Sequence, residues 1–200
     1  MSGASAISAV LLAAGSSRRF GAANKMLALL DGKPLVRHAA ELLTSTGFSE
    51  LIVVTGPDAD EVRRVLAGLP VRFVHNEVYL AGMGGSVAAG IRAVSSASAG
   101  ALVFLGDMPR LDADLLRHLV ATFAAGGSDS IVFPCLPDGS QRNPVLWPRR
   151  LFVELGALTG EQGAKSVLMA HTTETVAVPA EPEAFTDIDT VDDLERLQRS

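Results

Sequence analysis

The sequence predicts an α/β fold in which a mostly parallel sheet is covered by helices on both faces. Apolar runs alternate with helical patterns over most of the 200 residues, as strands joined by crossover helices do. Two of these runs, 51–54 and 101–105, show no polar alternation, which is typical of strands buried on both faces. Hydrophobic residues make up 48% of the chain, enough for a sizeable core. The length of 200 residues allows one domain, or at most two small ones.

The elements follow from these patterns in chain order. Strands are predicted at 7–12, 51–55, 71–74, 101–105, 130–133, 144–146 and 175–178, and helices at 34–46, 58–67, 86–94, 113–125, 165–170 and 191–198. Pro34 suits the first position of a helix, where its missing N–H costs nothing. Asp112 can cap the helix whose apolar face begins at Leu115. The less regular region from 128 to about 185 is expected to extend the sheet and to form one wall of a binding site.

Composition and charge exclude several classes of protein. The apolar run 9–14 is much shorter than the roughly 20 residues of a membrane helix. It also differs from a signal-peptide core, because Arg18 and Arg19 follow it and no basic residue precedes it. The net charge of −5 argues against a nucleic-acid binder. The lone Cys135 allows no internal disulfide and fits a reducing compartment. We expect a cytoplasmic protein with neither nucleic acid nor membrane as a partner.

Charge is unevenly distributed along the chain. Residues 16–38 contain five basic side chains and one acid, whereas residues 174–195 contain eight acids and no lysine or arginine. The first segment is suited to a polyanion and the second to a divalent metal. A solvated surface is the alternative interpretation of the acidic segment.

The loop after the first predicted strand is the first candidate for chemistry. It reads Leu-Ala-Ala-Gly-Ser-Ser-Arg-Arg-Phe-Gly over 12–21, and Lys25 follows. Small residues let backbone N–H groups approach a ligand, and the cations that follow can neutralise phosphates. The spacing matches neither the dinucleotide fingerprint G-x-G-x-x-G nor the P-loop. An ordinary turn between strand and helix remains the alternative.

Acidic residues at two further places are candidate metal ligands. Asp107 follows the buried strand 101–105 within Gly-Asp-Met-Pro, and a carboxylate there can hold Mg²⁺ over phosphates. Asp187 and Asp189 point the same way on an extended segment, so either one can meet Asp107. The alternatives are that Asp107 is a turn residue and that Asp189 caps the last helix.

Other chemistries find little support. The stretch Gly84-Gly85-Ser86-Val87-Ala88 fails the hydrolase elbow G-x-S-x-G at its last position. The four histidines, His38, His75, His118 and His171, show no metal-ligand spacing.

Taken together, the motifs resemble the MobA-like nucleotidyltransferase family, and most closely its molybdenum cofactor cytidylyltransferases. Six motifs occur in one order over nearly the whole chain: Leu12-Ala-Ala-Gly with Lys25, Gly82-Met-Gly-Gly-Ser, Gly106-Asp-Met-Pro, Arg142-Asn-Pro-Val-Leu, Gly163-Ala-Lys-Ser and Asp187-Ile-Asp-Thr-x-x-Asp-Leu. The resemblance implies a single nucleotidyltransferase domain with a Rossmann-like three-layer α/β/α sandwich of the nucleotide-diphospho-sugar transferase type. It also implies transfer of a nucleoside monophosphate with release of pyrophosphate.

The resemblance assigns the nucleotide and metal residues by position. The nucleotide-binding positions are Leu12, Ala13, Ala14, Gly15, Ser17, Arg19, Lys25, Gly84 and Ser86. Lys25, Arg19 and Asp107 would be catalytic, and the side chains of Lys25 and Arg19 would bind the triphosphate. Mg²⁺ is the implied cofactor, on Asp107 with Asp189 or Asp187. Two departures are a slightly long spacer at 22–24 and Gly85, where relatives often carry serine.

The resemblance also implies the substrates. Arg142 and Asn143 fall where the acceptor, a molybdopterin-type phosphate, is expected. CTP is favoured over GTP because guanylyl relatives typically read Leu-Ala-Gly-Gly, and we expect the Ala14 methyl group to crowd a purine. A molybdenum hydroxylase is a possible recipient of the product. The alternatives are a guanylyl or other-acceptor transferase, a cofactor-insertion accessory protein, and a nicotinamide-dependent oxidoreductase.

Overall fold

The computed structural model describes residues 6–15, 20, 24–161, 163–185, 188 and 190–199. The strands within this part are β1 Ile7–Ala13, β2 Leu29–Leu30, β3 Lys33–Pro34, β4 Glu50–Thr55, β5 Val71–His75, β6 Gly100–Leu105, β7 Ile131–Cys135, β8 Val145–Pro148 and β9 Thr175–Pro179. The α-helices are α1 Leu35–Thr46, α2 Ala59–Val65, α3 Met83–Ala93, α4 Ala113–Ala125, α5 Phe152–Gly156, α6 Lys165–Ala170 and α7 Val191–Arg199. None of these helices has the length and apolarity needed to cross a bilayer.

Seven strands form one mixed sheet in the order β5-β4-β1-β6-β8-β7-β9. β1 pairs in parallel with β4 and β6, and all seven of its residues are buried. β8 runs antiparallel to both of its neighbours, whereas β9 is parallel to β7. The predicted, mostly parallel α/β/α architecture is therefore confirmed, with one reversed strand that the sequence did not reveal.

Two apolar layers cover the sheet because alternate strand residues point to opposite faces. Leu11 of β1 packs in the layer formed with α1, α2 and α4. Val10 and Leu12 pack in the opposite layer, with α3, α5 and α6. A smaller cluster joins Phe20, Leu30, Leu35, Ile188 and Leu194, and so ties α7 to the rest of the fold.

The predicted elements all occur, with shifts at their ends. The largest shift is at α3, which begins at Met83 rather than at residue 86. Pro34 is the N-cap of α1 rather than its first residue. Asp112 caps α4 as predicted, because its side chain accepts a hydrogen bond of 2.8 Å from Leu115 N. The β2–β3 hairpin and the short α5 were missed, although Asp31-Gly32 is a turn signal of known type.

The connectivity places a crevice between β1 and β6. From β1 the chain proceeds to β4 and β5 on one side, and it then crosses back to place β6 on the other side of β1. Ligands of open α/β sheets bind beyond the carboxyl ends of the strands at such a reversal. The residues after Ala13 and after Leu105 therefore face the same crevice.

Candidate functional site

The crevice contains a close ion pair between two predicted site residues. Lys25 Nζ lies 2.6 Å from Asp107 Oδ2, although 82 positions separate the two residues in the chain. Their side chains are only 12% and 18% exposed, so water screens this pair less than it screens a surface pair. The structure thus brings the predicted phosphate-binding cation and the predicted metal ligand together.

Asn24 orients the segment that carries Lys25. Its Oδ1 accepts a hydrogen bond of 2.8 Å from Met26 N, which caps the short 3₁₀ helix Lys25–Leu27. Its Nδ2 donates a hydrogen bond of 2.7 Å to Asp58 Oδ2, in the loop after β4. The amide therefore ties Lys25 to the parallel sheet. The sequence had marked Asn24 only as part of a spacer.

Gly106 allows the two halves of the ion pair to approach. A Cβ atom on Gly106 would lie 2.7 Å from the sulfur of Met26 and 3.3 Å from Leu12 O. The Gly106 N–H also donates a hydrogen bond of 3.3 Å to Leu12 O, which continues the pairing of β6 with β1. A larger residue would push Met26, and with it Lys25, away from Asp107.

Asp107 has an oxygen atom that suits a divalent cation. Oδ1 is buried and accepts no hydrogen bond from the described residues. Buried carboxylate oxygens are normally paired, so an orphaned one beside a crevice fits a missing ligand. The described residues contain no group of three His, Cys, Asp or Glu side chains that could hold a metal. Ligands from other sources, such as phosphates and water, would have to complete the site.

Asp187 and Asp189, the other predicted metal ligands, lie outside the described residues. Ile188, between them, is fully buried, and its N–H donates a hydrogen bond of 3.3 Å to Asp107 O. The backbone at Ile188 therefore lies beside Asp107. That Asp187 or Asp189 holds the metal together with Asp107 stays a prediction.

The loop after β1 is described only as far as Gly15. Leu12, Ala13 and Ala14 are buried, and Gly15 is exposed with no atom within 4 Å of the position of a Cβ atom. Ser17 and Arg19 lie outside the described residues.

The structure buries the Ala14 methyl group, which was expected to crowd a purine base. Its side chain is only 2% exposed and packs in the apolar layer beneath α3, together with Val54 and Val87. Gly56 lacks a side chain where a Cβ atom would come within 2.6 Å of Ala14 O. Ala14 is therefore a core residue, whereas the neighbouring Gly15 is exposed.

Gly84 and Ser86, near the start of α3, make different hydrogen bonds. The Gly84 N–H donates a hydrogen bond of 2.9 Å to Gly160 O, so this amide is already engaged. Ser86 is buried, and its hydroxyl accepts a hydrogen bond of 3.0 Å from Asn76 Nδ2. Asn76 was missed by sequence reasoning because a single asparagine after a strand carries no motif.

A cavity of about 180 Å³, here called the α6 cavity, adjoins the crevice. Its walls are mostly apolar, and its polar residues are Gln141, Asn143 and Lys165; the walls include Leu12, Val87, Val103, Leu105, Val145, Trp147 and Leu168. Asn143, one of the two predicted acceptor residues, thus lines this cavity. Arg142 is exposed and does not line this cavity. Lys165 belongs to the Gly163-Ala-Lys-Ser motif, and the sequence predicted no role for it.

Comparisons with known proteins agree with this geometry. The MobA-like NTP transferase domain family matches residues 9–176. Among solved structures, Rv0371c of Mycobacterium tuberculosis H37Rv superposes with a TM-score of 0.84 at 26% identity, covering 98% of this chain and all of that one. A structure of Rv0371c in complex with manganese superposes with a TM-score of 0.82. The predicted fold class is confirmed.

Two curated relatives indicate different activities. The bifunctional protein GlmU of Kineococcus radiotolerans is 36% identical over 130 residues, which are 64% of this chain. The match spans only about a quarter of that protein, 26% of its length. Nicotine blue oxidoreductase of Paenarthrobacter nicotinovorans is 30% identical over 196 residues, 96% of each chain.

Proposed function

Because this chain belongs to the MobA-like NTP transferase domain family, we propose that it transfers a nucleoside monophosphate from an NTP to the phosphate of a molybdopterin-type acceptor. CTP is the proposed donor in preference to GTP, on the strength of the Leu-Ala-Ala-Gly motif. The observation that carries the proposal is the partly buried ion pair of Lys25 and Asp107, whose carboxylate oxygen Oδ1 has no partner among the described residues, at the sheet reversal. A molybdenum hydroxylase is the proposed recipient of the product.

In this proposal the chain acts by holding charges in place. The Lys25 ammonium, aided by Arg19, binds the triphosphate and neutralises the charge that moves onto the leaving pyrophosphate. The acceptor phosphate is already ionised at neutral pH and needs no strong general base, so alignment for in-line attack supplies much of the rate. Asp107, with Asp189 or Asp187, would hold a divalent cation. When bound, that ion neutralises the attacking and leaving oxygens together.

The direct test of this function is a nucleotide panel. The purified chain is incubated with molybdopterin and each NTP, with Mg²⁺ or Mn²⁺, and released pyrophosphate is measured. We expect release that requires both acceptor and metal and that is fastest with CTP. Faster release with GTP would contradict the choice of donor alone. No release with any nucleotide would contradict the transferase proposal.

A variant of Lys25 tests the observation that carries the proposal. Lys25→Met keeps most of the side chain and removes its charge, so we expect kcat/KM for the NTP to fall about ten- to hundredfold. Lys33→Met is the matched control, because Lys33 forms a 2.6 Å pair with Glu41 and is 41% exposed. The control should stay within about twofold, as exposed pairs contribute little. Equal effects of both variants would argue against a role for the pair of Lys25 and Asp107.

An oxidoreductase is the second candidate, favoured by the full-length match to nicotine blue oxidoreductase. In this alternative a reduced nicotinamide donates a hydride, and solvent a proton, to a planar heterocycle bound beside the crevice. Nicotinamide oxidation is followed by absorbance with nicotine blue as the acceptor. Oxidation without any pyrophosphate-releasing activity would favour this candidate over the transferase.

A further inference from the structure

Asp58 lies at the N-terminus of a helix, but its side chain does not cap that helix. It is the N-cap residue of α2, and aspartate is preferred at this position because its carboxylate can accept a hydrogen bond from the first turn. The Asp58 side chain accepts no such bond from the described residues of α2. Asp112, the N-cap of α4, does accept one, from Leu115 N at 2.8 Å. The carboxylate of Asp58 therefore leaves a stabilising contact of its own helix unused.

The Asp58 carboxylate is bonded instead to the segment that carries Lys25. Asn24 Nδ2 donates a hydrogen bond of 2.7 Å to Asp58 Oδ2. The orientation of this amide follows from its other partner, because the backbone N–H of Met26 can only donate, and the atom 2.8 Å from it must be Oδ1. The amide nitrogen of Asn24 then faces Asp58 and needs an acceptor there.

Asp58 is attached to a firm part of the sheet. The strand before it, β4, pairs in parallel with β1 as far as the partners Thr55 and Ala13. Gly56 follows Thr55, and a Cβ atom on Gly56 would come within 2.6 Å of Ala14 O, so the two chain segments are in close backbone contact. Groups carried by such rigid elements are positioned more precisely than groups on long loops. The position of the Asp58 carboxylate is therefore set by the parallel centre of the sheet.

Lys25 is held through both of its neighbours in the chain. Met26, after it, is buried in the apolar layer beneath α1. An apolar contact resists withdrawal of the segment but has no direction of its own. The two hydrogen bonds of the Asn24 amide are directional, so they also fix how the segment is turned. From this support the Lys25 ammonium reaches Asp107 Oδ2 at 2.6 Å.

We infer that Asp58 is a positioning residue, which acts through Asn24 to direct the Lys25 ammonium toward the phosphates of the nucleotide. This inference rests on the proposed function for the identity of the phosphates. A displacement of about 1 Å can lower a rate about a hundredfold, so a carboxylate that acts through its neighbour can control turnover. The same requirement explains why Asp58 bonds to Asn24 and leaves α2 uncapped.

Lysine NMR tests whether Asp58 controls the place of Lys25. The chain has three lysines, so ¹³C label at the lysine Cε atoms gives few signals, and Lys25→Met identifies one of them. We expect Asp58→Ala to shift the Lys25 signal. Asp58→Asn should leave it near the wild-type position, because its amide oxygen can still accept from Asn24. Asp112→Ala is the matched control, which loses a helix cap and should not move the signal. An unchanged Lys25 signal in Asp58→Ala would refute the inference.

A double-mutant cycle tests whether the effect on turnover passes through Lys25. Asp58→Ala should lower kcat/KM for the NTP about tenfold, whereas Asp58→Asn and Asp112→Ala should stay within about twofold of the wild type. In the Lys25→Met background, Asp58→Ala should change kcat/KM by less than about twofold, because the group that it positions is already gone. Losses that simply add would show that Asp58 acts independently of Lys25, and the inference would be wrong.

The NMR measurement separates this inference from the proposed function. A wild type that releases no pyrophosphate with any nucleotide would refute the transferase, while a shifted Lys25 signal in Asp58→Ala would still support the control of Lys25 by Asp58. An active wild type in which Asp58→Ala changes neither the signal nor kcat/KM would refute the inference and leave the transferase standing.

Discussion

At the scale of single residues, the site depends on the paired charges of Lys25 and Asp107 and on one carboxylate oxygen that this pair leaves unused. Lys25 and Asp107 compensate each other's charge with little help from water, whereas Asp107 Oδ1 has no partner among the described residues. An unpaired buried oxygen is unfavourable for folding, so the folded chain holds Asp107 in a state that a cation would relieve.

Asp107→Asn should therefore abolish metal-dependent turnover while the protein still folds. The amide keeps the shape of the side chain and removes the charge that attracts the cation. Turnover and Mn²⁺ binding in the presence of nucleotide are measured, with circular dichroism as the check on folding. Asp112→Ala is the control with the opposite pattern. Loss of its cap on α4 should cost about 0.5–2 kcal/mol of stability and leave metal binding unchanged. Near wild-type turnover of Asp107→Asn would refute the metal assignment.

The neighbours Ala14 and Gly15 should differ in what they control. Ala14→Gly removes a buried methyl group and adds backbone freedom, so the free energy of unfolding should fall by about 1–2 kcal/mol. The ratio of kcat/KM for CTP and GTP should stay within about twofold, because this methyl group lies in the core. Gly15→Val adds bulk to open space and should raise the nucleotide KM with little loss of stability. A large change of base preference in Ala14→Gly would show that the loop rearranges on binding.

At the scale of elements, the first turn of α3 makes a close backbone contact. Its first turn lies against residues 159 and 160, and the Gly84 N–H donates to Gly160 O. A Cβ atom on Gly84 would lie 2.7 Å from Thr159 O, whereas one on Gly85 would lie no closer than 3.5 Å to any atom outside its own helix and neighbours. Two adjacent glycines thus have different reasons to be small.

Gly84→Ala and Gly85→Ala form a matched pair that tests this contact. The first variant must separate α3 from a backbone carbonyl, and such overpacking costs about 1–3 kcal/mol. In a chain of this size, each kcal/mol corresponds to about 2–4 °C in Tm. Gly85→Ala should melt at the wild-type temperature or slightly above, since alanine favours helix. Equal melting temperatures for the two variants would contradict the close approach.

At the scale of the whole molecule, a charged network joins the helical layer to the last strand of the sheet. His171, at the end of α6, lies 2.9 Å from Glu174 Oε1 through Nδ1 and 3.0 Å from Glu154 Oε2 of α5 through Nε2. Arg150 also pairs with Glu174. The hydrogen bond to Glu174, followed by that to Glu154, raises the pKa of His171 above its usual 6.5. The hydrogen bond from His171 lowers the pKa of Glu174.

This network predicts a stability that depends on pH. Because the pKa of His171 is higher in the folded state, its contribution is complete below about pH 6.5 and is lost as the pH rises through the folded value. His171→Gln should therefore melt below the wild type at pH 5.5, and the gap should close toward pH 9. Thermal melts across this range are the measurement. A gap that widens with rising pH would contradict the assignment.

Much of the architecture was determined by the sequence alone. Apolar runs without alternation have no stable place except between two helical layers, so 51–54 and 101–105 predicted the parallel centre of the sheet. Strong local signals also predicted the cap at Asp112 and the placement of Asp107 just after the carboxyl end of a strand.

Only the tertiary structure decided the features that depend on distant partners. The reversed direction of β8, the burial of Ala14 and the anchoring of Lys25 by Asn24 and Asp58 all arise from contacts between residues far apart in the chain. Local composition encodes propensity and burial pattern, because these depend on neighbours within a few residues. It does not encode which distant group meets a given side chain. The chemistry of this site depends on contacts between residues distant in the chain, and these contacts form only when the sheet assembles.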